Sequence, residues 1–176
     1  MTTYDLVRRV TDDQSREVFE VYDAVFGDQS NYEAWRSEVW DRHAVRKGFR
    51  LARAYDGERL MGFGYGYTGQ RGQWWTDQAG HVLPPEVADR WLGGHFELVS
   101  IGLLAEARGR GVGRALLDRL TEGLSQPRWV LMTTADPDDP ARHLYARAGW
   151  EVIGPGLRDD QVVMGRQPAW SSSAPP

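Results

Sequence analysis

One segment restricts the fold more than any other. Arg108-Gly109-Arg110-Gly111-Val112-Gly113-Arg114 places three glycines at alternate positions, directly after the apolar run HFELVSIGLL at 95–104. That run is apolar on both faces, so it reads as a central strand. Beyond the glycines, Val112, Ala115, Leu116, Leu120 and Leu124 recur at helical spacing, which predicts a helix over 112–124. A strand, a turn stripped of side chains and a helix, in that order, free backbone N–H groups at a helix N-terminus. The partial positive charge there favours an anion. Arg108, Arg110 and Arg114 add full charges. The loop is therefore a candidate cradle for phosphate or pyrophosphate. A Walker loop is excluded because Gly-Lys-Ser/Thr is absent. A dinucleotide Gly-x-Gly-x-x-Gly also fails, since the two frames end on Arg114 and Leu116.

The remaining chain divides around this unit. Residues 4–10 predict a short strand, and Thr11 or Asp12 caps a helix with Val18, Val21, Tyr22 and Val25 inward, ended by Gly27. A second helix is expected over 31–46, capped by Asn31, with Trp35, Val39 and Trp40 on one side as core. Residues 49–55 and 59–68 read as a hairpin joined by Asp56-Gly57. Gly62, Gly64 and Gly66 on the return strand imply close approach of something to one face, either a ligand or a tightly packed helix. Residues 69–94 are the least regular stretch, with Trp74, Trp75 and a short helix expected over 85–92. They suit either a functional insertion or a satellite apolar cluster. A buried strand at 128–134, a helix opened by Pro140 and stopped at Gly149, and strands at 150–153 and 161–166 complete the order. Helices alternate with strands only in the second half, so a mixed α/β (α+β) sheet is expected. The tail 167–176 reads as a flexible linker after a domain of residues 1–166.

Composition narrows the chemistry. With 176 residues, the chain is long enough to bury a core of its own. It has no cysteine and four scattered histidines, which removes thiol catalysis and thiolate metal sites, and no metal is expected. A net charge of -4 disfavours sequence-independent nucleic-acid binding, even with the arginines of 108–119 clustered around glycines. No apolar run is long enough for a membrane span, and the first residues lack a leader pattern, so a cytoplasmic protein is expected.

The pattern Arg108-x-x-Gly111-x-Gly113 resembles the acetyl-CoA signature of the GNAT N-acetyltransferase superfamily. Ile101-Gly102-Leu103 before it resembles the point where such proteins splay the central strand and pair the pantetheine arm with backbone. Pro140-Ala-Arg-His-Leu-Tyr-Ala-Arg-Ala-Gly-Trp150 resembles the family segment Ala-x-x-Leu-Tyr-x-x-x-Gly-Phe. The likeness is close over 95–153 and loose elsewhere. It implies one domain with a mixed, mostly antiparallel sheet of about six to seven strands, splayed in the middle and flanked by about four helices.

It also implies acetyl-CoA as co-substrate, met by Ile101, Gly102, Leu103, Arg108, Gly109, Arg110, Gly111, Val112, Gly113, Arg114 and Asp138. Asp138 stands where many relatives carry an asparagine that bonds the CoA arm; a carboxylate accepts but cannot donate. Tyr145 matches the tyrosine that gives a proton or hydrogen bond to the CoA sulfur. Glu97, eleven positions before Arg108, matches the glutamate base of the histone-acetylating branch. Alternation is expected to put His95, Glu97, Val99, Ile101 and Leu103 on one face, with His95 a reserve candidate for the base. A backbone N–H near Leu103 is expected to bond the thioester carbonyl. The acceptor is expected to be a small-molecule or peptide amine, met by Tyr22, Tyr65, Trp74 and Trp75, whose rings suit a cation. A degenerate CoA- or acyl-CoA-binding sensor is the alternative. Trp170 and exposed aromatics are candidate seeds of a homodimer.

Overall fold

The computed structural model describes residues 1–169. The chain runs β1 (Thr2–Val7), α1 (Asp12–Val25), α2 (Tyr32–Trp35), a π turn (Arg36–Trp40), α3 (Asp41–Ala44), β2 (Arg50–Asp56), β3 (Arg59–Gly69), α4 (Trp74–Val82), α5 (Pro85–Trp91), β4 (His95–Leu103), a 3-10 turn (Ala105–Ala107), α6 (Val112–Thr121), β5 (Trp129–Thr134), α7 (Pro140–Arg147), β6 (Glu151–Pro155) and β7 (Gln161–Arg166). The strands form one mixed sheet in the order β1-β2-β3-β4-β5-β7-β6. The expected α/β class and mostly antiparallel sheet are observed, with seven strands. β4 and β5 pair in parallel from Phe96 opposite Trp129 to Leu98 opposite Leu131, and the register ends there. The tail expected over 167–176, with Trp170, lies from residue 170 outside the described residues.

The chain divides into two compact units, residues 1–67 with 99–123, and 68–98 with 124–169. In the first, Thr11 caps α1 with a reciprocal capping box to Gln14. Asn31 caps the next helix through the Ala34 N–H. The single helix expected over 31–46 is instead two short α segments around a π turn. An α-helix would rotate Trp35 and Trp40 apart, whereas the wider π turn brings residues five apart together. The two indoles stack with centroids 4.7 Å apart, both essentially buried. Around them Val18, Tyr22, Phe49, Phe63, Tyr65 and Tyr67 build an aromatic core.

The β3 glycines have a packing explanation. A Cβ at Gly62 would lie 2.7 Å from Leu103 Cδ2 and 2.9 Å from the Gly102 carbonyl oxygen, with Leu116 behind. At Gly64 it would meet Ile101 and Leu120. The bare face of β3 therefore admits the Leu116–Leu120 ridge of α6. At Gly62 the close approach comes from Leu103 and the Gly102 carbonyl of β4 with α6 behind, while at Gly64 the contacts are of ordinary van der Waals length.

In the second unit the stretch 69–94 is a helical hairpin. The helix over Trp74–Val82 is additional to the short one expected; with 32–44 counted as one run and the 3-10 turn set aside, the described residues hold six helical runs against the expected four or so. Ala79, Leu83, Ala88, Trp91 and Leu92 bury against Val130 of β5 and Val163 of β7. Gly154 and Gly165 leave the space that Leu83 and Trp91 occupy. Its weak apolar periodicity hid α4 from the sequence, because burial falls on two small residues, Thr76 and Ala79.

A Gly62→Ala substitution is expected to destabilise the fold by about 1–3 kcal/mol through overpacking. A urea-unfolding midpoint at unchanged m-value would measure it.

Candidate active site

The first unit carries the glycine loop. β4 ends at Leu103, and the Leu104 N–H donates to the Met61 carbonyl at 3.0 Å. A 3-10 turn follows, then Arg108, whose Nε–H donates to the Leu103 carbonyl at 3.3 Å. Gly109 and Gly111 have φ of +70° and +78°, where side-chain-bearing residues are strained, and nothing lies within 4 Å of a Cβ built on either. Conformation, not crowding, demands glycine here, and the space beside the loop is open. Gly111 is the N-cap of α6 and offers no side-chain cap, and the first turn carries no acid. The leading amides are thus left to an external acceptor. Arg108 and Arg110 are exposed, while Arg114 turns along the helix to Asp118 at 2.9 Å.

The alternation expected along β4 breaks in this unit. Val99 packs on the aromatic core, and a Cβ at Gly102 would meet Phe63 of that core and the exposed Phe26. Ile101 and Leu103 instead face the β3 glycines. Positions 99 and 102 share a side, so His95, Glu97, Val99, Ile101 and Leu103 do not form one face as expected. Residues 101, 102 and 103 alternate regularly, so the break in the period of two lies between Val99 and Ile101.

The second unit carries the titratable groups. Glu97 is 3% exposed, opposite Val130 in β5. His95, two residues earlier, is fully buried, with Nε2 4.0 Å from Glu97 Oε2. Burial, then the nearby Arg128 charge, pushes the His95 imidazolium down to about 3. Its ring lies so close to β3 that a Cβ at Gly69 would sit 2.2 Å from Nε2. Trp75 approaches the same ring, centroids 6.2 Å apart.

Tyr145 is on α7, which Asp139 caps through the Ala141 N–H at 2.7 Å with Pro140 in the first turn. The phenol is buried, its ring 6.2 Å from Trp150. Burial, and secondarily the Asp139 charge, holds it well above the usual phenol range, so it stays protonated. Asp138 is exposed, and its N–H donates to Asp136 Oδ1 at 3.0 Å.

The proposed acceptor aromatics separate. Tyr22 and Tyr65 lie in the aromatic core of the first unit, their hydroxyls engaged by Asp28 at 3.2 Å and His43 Nδ1 at 3.0 Å. Trp74 is 68% exposed and Trp75 half-buried in the second unit. Gly69, Gly93 and Arg128 around His95 escaped sequence reasoning. Only the paired Gly93-Gly94 before the strand hinted at a special turn.

A model of the acetyltransferase (GNAT) family matches residues 12–150. The chain belongs to the GNAT acetyltransferase family. It is 34% identical over 127 residues to a GCN5-like protein acetyltransferase of Mycobacterium tuberculosis, covering 68% of this chain and 60% of that protein. The chain thus spans less than two thirds of that relative. In fold it is similar to an acetyltransferase from Thermus thermophilus (TM-score 0.67, 16% identity, covering 94% of this chain and 97% of that one). It is similar too to the PaiA N-acetyltransferase from Thermoplasma acidophilum in complex with coenzyme A (TM-score 0.61, 14% identity, covering 94% and 99%). Among the described residues, no helix of this GNAT chain is long and apolar enough to cross a membrane.

His95 has a consequence for stability. Unfolded, it binds a proton near 6.5; folded, only near 3. Its neutral burial therefore favours the fold fully above about pH 6.5, and that contribution is lost as pH falls toward 3. His95→Gln is expected to flatten the wild-type loss between pH 6 and 4 by up to about 1.4 kcal/mol per pH unit. Urea unfolding of both proteins across that range would measure it.

Proposed function

We propose that this protein is an acetyl-CoA-dependent N-acetyltransferase that passes the acetyl group directly to a primary amine. The observation that carries the reading is the uncapped start of α6, opened by Gly109 and Gly111 in left-handed conformation beside open space and two exposed arginines. Amides and a positive helix end suit the pyrophosphate of CoA, with Val112, Gly113 and Arg114 continuing the contact. The backbone of Ile101, Gly102 and Leu103 is assigned to the pantetheine arm, and Asp138, as an acceptor only, to a hydroxyl or amide of that arm.

In the proposed reaction the amine nitrogen attacks the thioester carbonyl carbon, a C–N bond forms and the C–S bond breaks. The attacking amine loses its proton to Glu97 through water. A buried carboxylate suits this because little solvent competes for the proton. The departing thiolate takes a hydrogen bond from Tyr145. Because that phenol holds its proton tightly, the reading assigns it stabilisation of the sulfur charge rather than completed transfer, with solvent supplying the final proton. The acceptor is assigned to amines of small molecules or peptides. Trp74 and Trp75 are the more accessible of the four aromatics proposed for it, whereas Tyr22 and Tyr65 are buried.

Thiol release from acetyl-CoA against a panel of amines and peptides tests the activity, with CoA binding titrated in parallel. Tyr145→Phe is expected to lower kcat about 10²-fold with CoA affinity retained, and Glu97→Gln to lower kcat/KM by about 10²–10³. CoA binding without turnover on any acceptor would favour the sensor reading. Separately, Arg108→Ala and Arg110→Ala are each expected to weaken CoA binding about tenfold without changing the unfolding midpoint. Calorimetric titration would measure that loss.

A further inference from the structure

The environment of His95 is more elaborate than a packed core residue needs. Gly93 and Gly94 have φ of +93° and +76°, and this turn aims the Gly93 N–H at His95 Nδ1 at 3.1 Å. The Gly94 N–H donates to the Gly69 carbonyl at 2.8 Å, tying the turn to β3. Arg128 donates to the Gly93 carbonyl at 3.0 Å and to the Arg90 carbonyl. Gly69 supplies the flat surface on which the ring lies.

This network decides the tautomer. Nδ1 accepts a hydrogen bond, so it carries no proton, and in the neutral ring the proton is on Nε2. Nε2 has no hydrogen-bond partner among the described residues. It stands 4.0 Å from Glu97 Oε2, with both side chains buried. That distance is too long for a hydrogen bond, but an N–H dipole and a carboxylate attract strongly where water is excluded. The charged groups facing the imidazole are Glu97 on its own strand and Arg128 from the segment before β5; α4 contributes the neutral ring of Trp75.

We infer that His95 is a positioning residue for Glu97: its Nε2–H orients the carboxylate and favours its charged form. This rests on the reading of Glu97 as the base. His95 is then not an alternative base. A ring locked neutral, with its outer nitrogen already protonated, has no lone pair to offer toward Glu97, and its other nitrogen is engaged by Gly93. Gly69, Gly93, Gly94 and Arg128 serve Glu97 at one remove, by holding the ring.

The test uses the full chain with labelled glutamate and histidine, read by NMR, so it needs no turnover. The 15N shifts of His95 are expected to show an Nε2–H tautomer from pH 5 to 8; an Nδ1–H tautomer overturns the inference. The Glu97 carboxyl carbon, assigned by its loss in Glu97→Gln, is expected to titrate about one pH unit higher in His95→Phe. His95→Gln, which can return an N–H, is expected to restore part of the shift. Gly69→Ala, which displaces the ring, is expected to reproduce the His95→Phe value. An unchanged Glu97 titration in folded His95→Phe and Gly69→Ala overturns the inference. If the wild type transfers acetyl groups, the acidic limb of kcat/KM is expected to move with the NMR value. If it transfers none, the reading of Glu97 as a base fails, while the titrations still decide whether His95 controls that carboxylate.

Discussion

The middle of the sheet depends on the absence of a Cβ. At Gly62, Gly69 and Gly102 an added carbon would fall within about 3 Å of neighbouring heavy atoms, and each position admits a different element. Gly62 admits Leu103 and the Gly102 carbonyl of β4, with Leu116 of α6 behind them. Gly102 admits Phe63 of the aromatic core and the exposed Phe26 beside it. Gly69 admits the imidazole of His95. Close packing thus places on strands the backbone and side chains proposed to act, and strands hold position better than loops.

Charge follows the same economy. Where anion binding is proposed, the chain exposes arginines and leaves amides uncapped, so the helix end stays open to an outside acceptor. Where proton handling is proposed, it buries Glu97, His95 and Tyr145. The tyrosine and the histidine are both held in their neutral forms by that burial. A neutral phenol donates and does not accept a proton. A neutral imidazole of defined tautomer presents a known face. Burial therefore assigns the parts that these groups are able to play.

Much of this was legible along the chain because it rests on local rules. Thr11 and Asn31 were readable as caps, and Pro140 as the opening of a helix. The strand before the arginine-glycine loop and the amphipathic helix after it were readable by period. Where the readings fell short, the cause is non-local. Trp35 and Trp40 share a face as expected, but through a π turn, because stacking two indoles outweighs regular helix geometry. The α4 helix has too few large apolar residues to betray itself; it is stabilised by the hairpin it forms with α5 over β5 and β7. The five residues expected on one face of β4 are divided, because register is decided by what packs on each side.

What the sequence determined by itself is the order of strands and of the helices other than α4, the mixed sheet and the family. These follow from period, caps and a glycine spacing that few other loops require. What only the tertiary structure decided is the environment of each titratable group proposed to act. The burial of His95, Glu97 and Tyr145 arises from residues distant in sequence, such as Gly69 and Arg128 around His95. Desolvation and dipole orientation depend on three-dimensional neighbours, which no one-dimensional pattern encodes.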